Sequence, residues 1–487
     1  MKTEYKYRFL ILLIMTLGLN VCQSLEAKTP LQFKFRKDHT FRIAQFTDIH
    51  WNNTSPKCAQ TTALIAHILA TEKPDLAILT GDIVTDIPEK EGWLAVTKIF
   101  IDAKIPFAVT LGNHDSEREI EREAIFDLLN TLPWFVGEKG PKLYGCGNYT
   151  LRVNDSEGQK VAAVLYCIDS NDYPKDKRIG SYDWIKFNQI EWYRKTSDQF
   201  TTLNKKMPIP SLMFFHIPLL EFNKVIGKQA TVGIKNEAVA ASEINSGMFA
   251  SLVEKRDVMG VFVGHDHDNN YVGVDHDIAL AYGQATGYDA YGKFERGSRI
   301  IELHEGEFTF DTWIATKSGI TDKYQYPAGS KPAEANIDYL PATKLQNMKP
   351  GIQFNYFEGS FNSTAELSFA KIKKSGILKN ISLEPAAKRD SFGFEFKAWL
   401  KIPKKGVYGF YTYSDDGSKL FIDGKEVVNN DGPHDTKRAD GEIALDEGFH
   451  EFRLLYFEGD SSNELEVGFS SRSIRECKIP EWFFFTK

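Results

Sequence analysis

Thiol ligands, basic blocks and long apolar stretches are what this chain has least of. It carries five cysteines in 487 residues. Beyond the N-terminal segment these are Cys58, Cys146, Cys167 and Cys477, and none has the spacing of a zinc site. A thiolate metal centre is therefore excluded. No Lys/Arg block interrupts a formal net charge of −7, which argues against a protein that grips nucleic-acid backbone. The apolar run from Phe9 to Val21 is short for a spanning helix. Lys2, Lys6 and Arg8 flank it and Cys22-Gln23-Ser24-Leu25-Glu26-Ala27 follows, so residues 1–27 read as a secretory signal peptide. Cleavage is expected after Ser24 or Ala27. Lipoprotein processing at Cys22 ranks second, because Val21 is bulkier than the small residue wanted before such a site. The expected mature chain is exported, periplasmic or extracellular, and without a transmembrane span. In an oxidising compartment Cys146 and Cys167, flanking two adjacent strands, could pair; two small buried thiols fit as well.

What remains is ordinary globular composition, 42% hydrophobic and 26% charged, in a chain long enough for two or three domains. Residues 28–317 read as one α/β unit. Its strand candidates are 41–47, 76–80, 107–111, 161–168, 211–215, 258–263 and 278–282. Most are continuous apolar runs, the signature of strands covered on both faces. Helical stripes lie between them: Leu64, Ile65, Ile68 and Leu69 in one, and Trp184, Phe187, Ile190 and Tyr193 in another, the latter read as core rather than as a ligand platform. Alternating strand and helix imply a layered sheet with helices outside. Pro327, Pro332, Pro341 and Pro350 scatter through residues 318–350, which read as an interdomain linker after a last strand at Asp311-Thr312-Trp313. From 351 to 487 the pattern is all-β, with short alternating runs and a hairpin signal at Asp423-Gly424, as in a β-sandwich.

Histidine is unevenly placed. Five of eleven fall in motifs that recur down the first domain: Asp48-Ile49-His50, Gly81-Asp82, Gly112-Asn113-His114-Asp115, the lone His216 before Ile217-Pro218, and Gly264-His265-Asp266-His267. Most follow an apolar strand candidate. Residues i and i+2 of an extended chain point the same way, so Asp48 with His50, and His265 with His267, can each reach one cation beyond a strand end. One cation would take Asp48, His50, Asp82 and His267, and the other Asp82, Asn113, His216 and His265, with the Asp82 carboxylate bridging. Two cations about 3.5–4 Å apart suit in-line displacement at phosphorus. His114 is left over, placed to orient the ester or protonate its leaving oxygen. A mixed His, Asp and Asn donor set favours Fe, Mn or Zn, as two divalent or trivalent ions, over a magnesium-only site. His39, His67, His276, His304, His434 and His450 are assigned structural roles.

The segments Gln45-Phe46-Thr47-Asp48-Ile49-His50, Leu79-Thr80-Gly81-Asp82, Leu111–Asp115, Gly147-Asn148-Tyr149, Phe214–Pro218 and Phe262–His267 resemble the calcineurin-like metallophosphoesterase family. They come closest to its branch of purple-acid-phosphatase-related and yeast dose-dependent cell-cycle-regulator-like phosphatases. The resemblance spans about residues 40–315 and implies a two-sheet β-sandwich flanked by helices. It implies the same seven ligands and His114 as the catalytic residue. The implied activity is hydrolysis of phosphate monoesters of small molecules by attack of a metal-bridging hydroxide, with phosphodiester hydrolysis at the same site as the alternative. A reading of a different class is a glycan-binding protein that keeps a metal-bearing domain without turnover. Purple acid phosphatases have a tyrosine ligand where this chain has Thr85, so a purple iron–tyrosinate centre is not expected. The protein phosphatases' aspartate partner of the catalytic histidine is displaced by one residue, to Asp86. No arginine lies inside the motifs; Arg118 and Arg178 are candidates to hold phosphate, with a solvated surface role preferred for each.

The C-terminal segments Tyr413–Gly424 and Gly448–Gly459 resemble the β-sandwich module first described in anthrax protective antigen, found in many glycosidases and adhesins. In adhesin members a consecutive aspartate pair holds calcium that coordinates a sugar. Asp415 and Asp416 match that pair, which makes them candidates for calcium and for a glycan or cell-surface polysaccharide. The same Asp-Asp-Gly is also a turn signature that shapes the fold, and that reading is preferred.

Overall fold

A computed structural model describes residues 31–228, 230–327, 337–460 and 462–487. The expected signal peptide lies outside the described residues.

The first domain is two sheets packed face to face with helices outside. One sheet orders its strands Phe33–Lys34, Tyr149–Asn154, Val161–Cys167, Ser211–Phe214, Val258–Val263, Ile278–Tyr282, Val272–Asp275. The other runs Gly319–Tyr326, Phe310–Thr316, Gly297–His304, Thr40–Phe46, Leu76–Thr80, Phe107–Thr110. Val161–Cys167, Ser211–Phe214, Val258–Val263 and Ile278–Tyr282 pair in parallel in the first sheet, and Thr40–Phe46, Leu76–Thr80 and Phe107–Thr110 in the second. Their residues are buried almost without interruption, which explains why they read as apolar runs rather than alternating ones. Phe46, Leu79 and Val109 of one sheet share a core with Leu212, Phe214 and Phe262 of the other. The second core lies on the outer face of the seven-stranded sheet, where Ile190, Tyr193 and Phe200 of helix Phe187–Leu203 pack on Val164 and Tyr166. The five histidine and aspartate motifs of the first domain each sit just past the C-terminal end of a parallel strand, the end at which open α/β sheets bind ligands.

Three expectations need correction. Phe187 was read as core but is 76% exposed, because it opens its helix rather than facing the sheet; Trp184 precedes the helix and lies under the Lys186 ammonium. The stretch read as a linker contains a strand, Gly319–Tyr326, which folds back on Phe310–Thr316 and extends the sheet. Tyr324 and Tyr326 alternate with less buried neighbours there, a period-two signal that the flanking prolines obscured. Leu340 and Thr343 then bridge to Leu445 and Phe449, so the second domain begins before residue 351. Cys58, Cys146, Cys167 and Cys477 are all free thiols; burial pushes Cys146 and Cys167 up to about 12.

The C-terminal domain is all-β, an eight-stranded sheet facing a four-stranded one across a core rich in phenylalanine. The Asp423-Gly424 hairpin joins Ser418–Ile422 to Lys425–Asn430 with φ of +47° and +76° at its two central residues, the left-handed pair that a tight hairpin requires. Among the described residues no helix is long and apolar enough to cross a membrane.

Candidate metal centre

The strand ends deliver their side chains into two adjoining groups. In the first, the Nε2 atoms of His50 and His267 are 3.2 Å apart and His267 Nε2 is 3.2 Å from Asp48 Oδ1. In the second, His216 Nε2 lies 3.3 Å from His265 Nδ1 and 3.1 Å from Asp82 Oδ2. That same Asp82 oxygen is 3.7 Å from His50 Nε2. One carboxylate oxygen therefore stands between the two groups, as expected for a bridging aspartate.

Local backbone makes this convergence work. Asp48, His50, Asp82 and His265 all have positive φ, between 46° and 80°. Non-glycine residues hold that conformation only where the surroundings over-determine it, and such strain concentrates at functional sites. Gly81 (φ +84°) lies against the His216 ring and Gly112 against Asp82; a Cβ at either position would overlap those side chains. Asp115, the last residue of its motif, is fully buried and turns away from the site. It accepts backbone N–H groups from Asp82, Ile83, Val84 and Gly112 at 2.7–3.1 Å, clamping the loops that carry Asp82 and Asn113 together. Arg122 adds a second clamp, donating to the Gly112 carbonyl at 2.7 Å and to Asp169 at 3.0 Å.

The donor set fits cations. His216 donates Nδ1–H to the Thr80 carbonyl (2.8 Å) and His267 donates Nδ1–H to the Tyr291 carbonyl (3.2 Å), leaving each Nε2 facing inward. Burial pushes His50 down to about 4 and His265, with the charge of His216 adding to it, down to about 3, so both are neutral donors at neutral pH. Burial would also lower His216 and raise Asp48. Instead the Asp82 carboxylate lifts His216 to about 9, and His267 holds Asp48 at about 2. The pocket thus demands positive charge. Two buried atoms, Asn113 Oδ1 and His265 Nε2, have no protein partner.

His114 stands at the rim with its side chain 39% exposed and its ring centroid 5.7 Å from that of His50. Its partner is Glu117, not Asp86: Nδ1 lies 2.7 Å from Glu117 Oε2, while Asp86 accepts the neighbouring Ile87 N–H at 2.8 Å. The other Glu117 oxygen accepts Tyr173 Oη–H at 2.7 Å, and Tyr173 Oη accepts Asn113 Nδ2–H at 2.9 Å. This chain of bonds fixes the Asn113 amide with its oxygen free. Sequence reasoning missed Glu117 and Tyr173. Glu117 follows His114 by three residues, which was a usable signal; Tyr173 comes from a distant loop and gave none. Arg118 and Arg178 are exposed, Arg178 paired with Asp176, as a surface role predicts.

In the second domain Asp415 and Asp416 are buried and joined by Glu458, which sequence reasoning did not single out. Asp416 accepts the backbone N–H groups of His434 and Gly459 at 2.8 Å and Asp415 accepts from Thr436 at 3.0 Å, so the pair does organise its loops. Glu458 Oε1 is buried without a partner, and burial beside the two aspartates pushes Glu458 up to about 8.

Two stacked sheets with paired His/Asp groups at their strand ends define a metallophosphoesterase. The sequence pattern of calcineurin-like phosphoesterases matches residues 41–269, and that of the PA14 domain matches residues 349–481. "Probable inactive purple acid phosphatase 29" of Arabidopsis thaliana is 33% identical over 321 residues, 59% of this chain and 82% of that protein. "Phosphatase DCR2" of Saccharomyces cerevisiae is 31% identical over 56% of this chain and 53% of its own length. A solved dimetal phosphatase from Danio rerio is similar over 58% of this chain and 98% of its own, at 11% identity and a TM-score of 0.42. The chain belongs to the calcineurin-like phosphoesterase family.

Proposed function

We propose that this protein is an exported phosphatase that hydrolyses phosphate monoesters at a two-cation centre. The observation that carries the reading is Asp82 Oδ2 lying between two buried His/Asp groups with His114 beside them. Asp48, His50, His267 and Asp82 would hold one ion, and Asp82, Asn113, His216 and His265 the other. Such a pair, when bound, neutralises phosphoryl charge and supplies a nucleophile at neutral pH. The chain's own residues do the rest. Burial of all ligands but His50 keeps bulk water from the inner face, so the ester enters on the His50–His114 side. Glu117 holds His114 Nδ1–H, which orients the ring so that Nε2 can pass a proton to the leaving oxygen. Fe, Mn or Zn suits these donors.

The test is release of phosphate from an aryl phosphate by metal-loaded protein, side by side with a bis-aryl phosphate. Monoester turnover abolished in Asp82→Ala supports the reading; faster diester cleavage would move it to phosphodiesterases, and turnover retained in Asp82→Ala would sink it. Three relatives carry "inactive" in their names, which motivates the non-catalytic alternative. The full donor set favours turnover here, and purified protein free of transition metal would reverse that preference. For the second domain, the partnerless Glu458 oxygen beside Asp415 and Asp416 supports calcium binding, and through it glycan binding. A thermal shift with calcium, lost in Glu458→Gln, tests it; equal melting with and without calcium would refute it.

A further inference from the structure

The strand Ile372–Leu378 lies at an edge of the second domain. It pairs with Ile352–Glu358 on one side and, among the described residues, with nothing on the other. Strand alternation would place Ile372 and Ile377 on opposite faces. The register shifts between Tyr356 and Phe357, however, so that Ile372 pairs with Phe357 and Ile377 with Gln353, and this bulge brings both isoleucines to the outward face. They are 48% and 60% exposed, and Phe369, from the short helical turn just before the strand, is 91% exposed. Lys371 and Lys373 flank Ile372, Lys379 follows Ile377 by two residues, and none of the three is in an ion pair among the described residues. No acidic residue occurs between Glu366 and Glu384 in a chain whose net charge is −7.

Lysines alone would be explained as guards of an open sheet edge. Guarding does not explain a fully presented phenylalanine and two isoleucines between them. A second copy of this chain is a poor occupant, since edge-to-edge pairing would set lysine opposite lysine. An anionic polysaccharide would satisfy the lysines but offers the three apolar side chains nothing to enter. An anionic lipid surface satisfies both, with ammonium groups at the phosphates and Phe369, Ile372 and Ile377 at the acyl boundary.

We propose that this face is a peripheral membrane-docking surface for anionic lipid. The proposal is independent of the phosphoesterase centre. Full-length protein is sedimented with vesicles of phosphatidylcholine alone and of phosphatidylcholine mixed with phosphatidylglycerol. Binding is expected to the mixed vesicles, to weaken with added salt, and to fall roughly fivefold for each of Lys371→Gln and Lys373→Gln. Phe369→Ser with Ile377→Ser should remove binding while phosphate release and the circular dichroism spectrum stay unchanged; both positions are surface-exposed, so folding is preserved. No sedimentation with anionic vesicles overturns the proposal, as does sedimentation that the double apolar variant retains. A dimer in solution that the same variants convert to monomer would assign the face to self-association instead, and retention on an anionic polysaccharide that ignores the apolar substitutions would assign it to that polymer.

Discussion

Asp82 carries more of the site than any other residue. One of its oxygens faces both histidine groups and the other accepts the His114 backbone N–H at 2.9 Å. Asp82→Ala should therefore lower bound transition metal, read by elemental analysis, as well as turnover. His114→Ala should leave metal content intact and cost roughly 10²–10⁴ in kcat, the range of a general acid. Glu117→Gln and Tyr173→Phe probe the bonds between His114 and Asn113. Each is expected to cost about 10–100-fold, Tyr173→Phe in metal affinity and Glu117→Gln in kcat, as for residues that orient ligands rather than contact substrate. Equal, wild-type values for both would show that the connection is incidental. At this scale the six side chains that converge in the two groups, Asp48, His50, His267, Asp82, His216 and His265, were legible, because each follows an apolar run and two pairs have i, i+2 spacing. Tyr173 and Glu458 were not, because a phenol or carboxylate acquires its role from a neighbour that folding supplies; Glu117 offered only its i, i+3 spacing from His114.

The strand-to-loop transitions are the elements that matter. Gly81→Ala places a side chain at φ +84° against the His216 ring. The backbone term alone is about 1–2 kcal/mol, and a larger loss of stability by urea titration is expected from the overlap. In the sandwich, His450 is buried with Nδ1 donating to Asp423 at 2.6 Å and Nε2 donating to the Asp446 carbonyl at 2.9 Å, so both nitrogens carry protons. Burial opposes that charge, but the Asp423 hydrogen bond outweighs it and raises the histidine above its ordinary 6.5. Its stabilisation is fully present below pH 6.5 and is lost as pH rises through the raised value. Denaturation midpoints should fall over that window in the wild-type protein, and His450→Gln should flatten the dependence. The seven apolar runs offered as strands of the first domain match strands to within a residue or two, since buried parallel strands announce themselves as apolar runs; Tyr149–Asn154, Val272–Asp275, Gly297–His304 and Gly319–Tyr326, which pair antiparallel on at least one side, were not among them. Helix facing was read less well: Phe187 matched the period of a stripe whose first turn the fold leaves in solvent.

Across the whole molecule the two domains are tied by Arg475, which donates to the Val258 carbonyl at 3.1 Å, to the Asp277 carbonyl and to Tyr326 Oη, and by Arg472 on Glu307 at 2.9 Å. Tyr326 belongs to the strand that was read as linker, so that strand is part of the junction. A single calorimetric transition is expected for the intact chain, with Arg475→Ala separating it into two; two transitions in the wild type would show that the contacts do not couple the domains. The sequence by itself determined the chemistry: nitrogen and oxygen donors, no thiolate, five motifs at strand ends, and an all-β appendage. Those are local properties, set by residue type and by periods of a few residues. Tertiary structure alone decided which donors share a group, which carboxylate steadies His114, and where the linker ends. His50 and His267 meet across 217 residues of chain, and no local pattern encodes that meeting; sheet order and the strained turns beyond each strand bring it about.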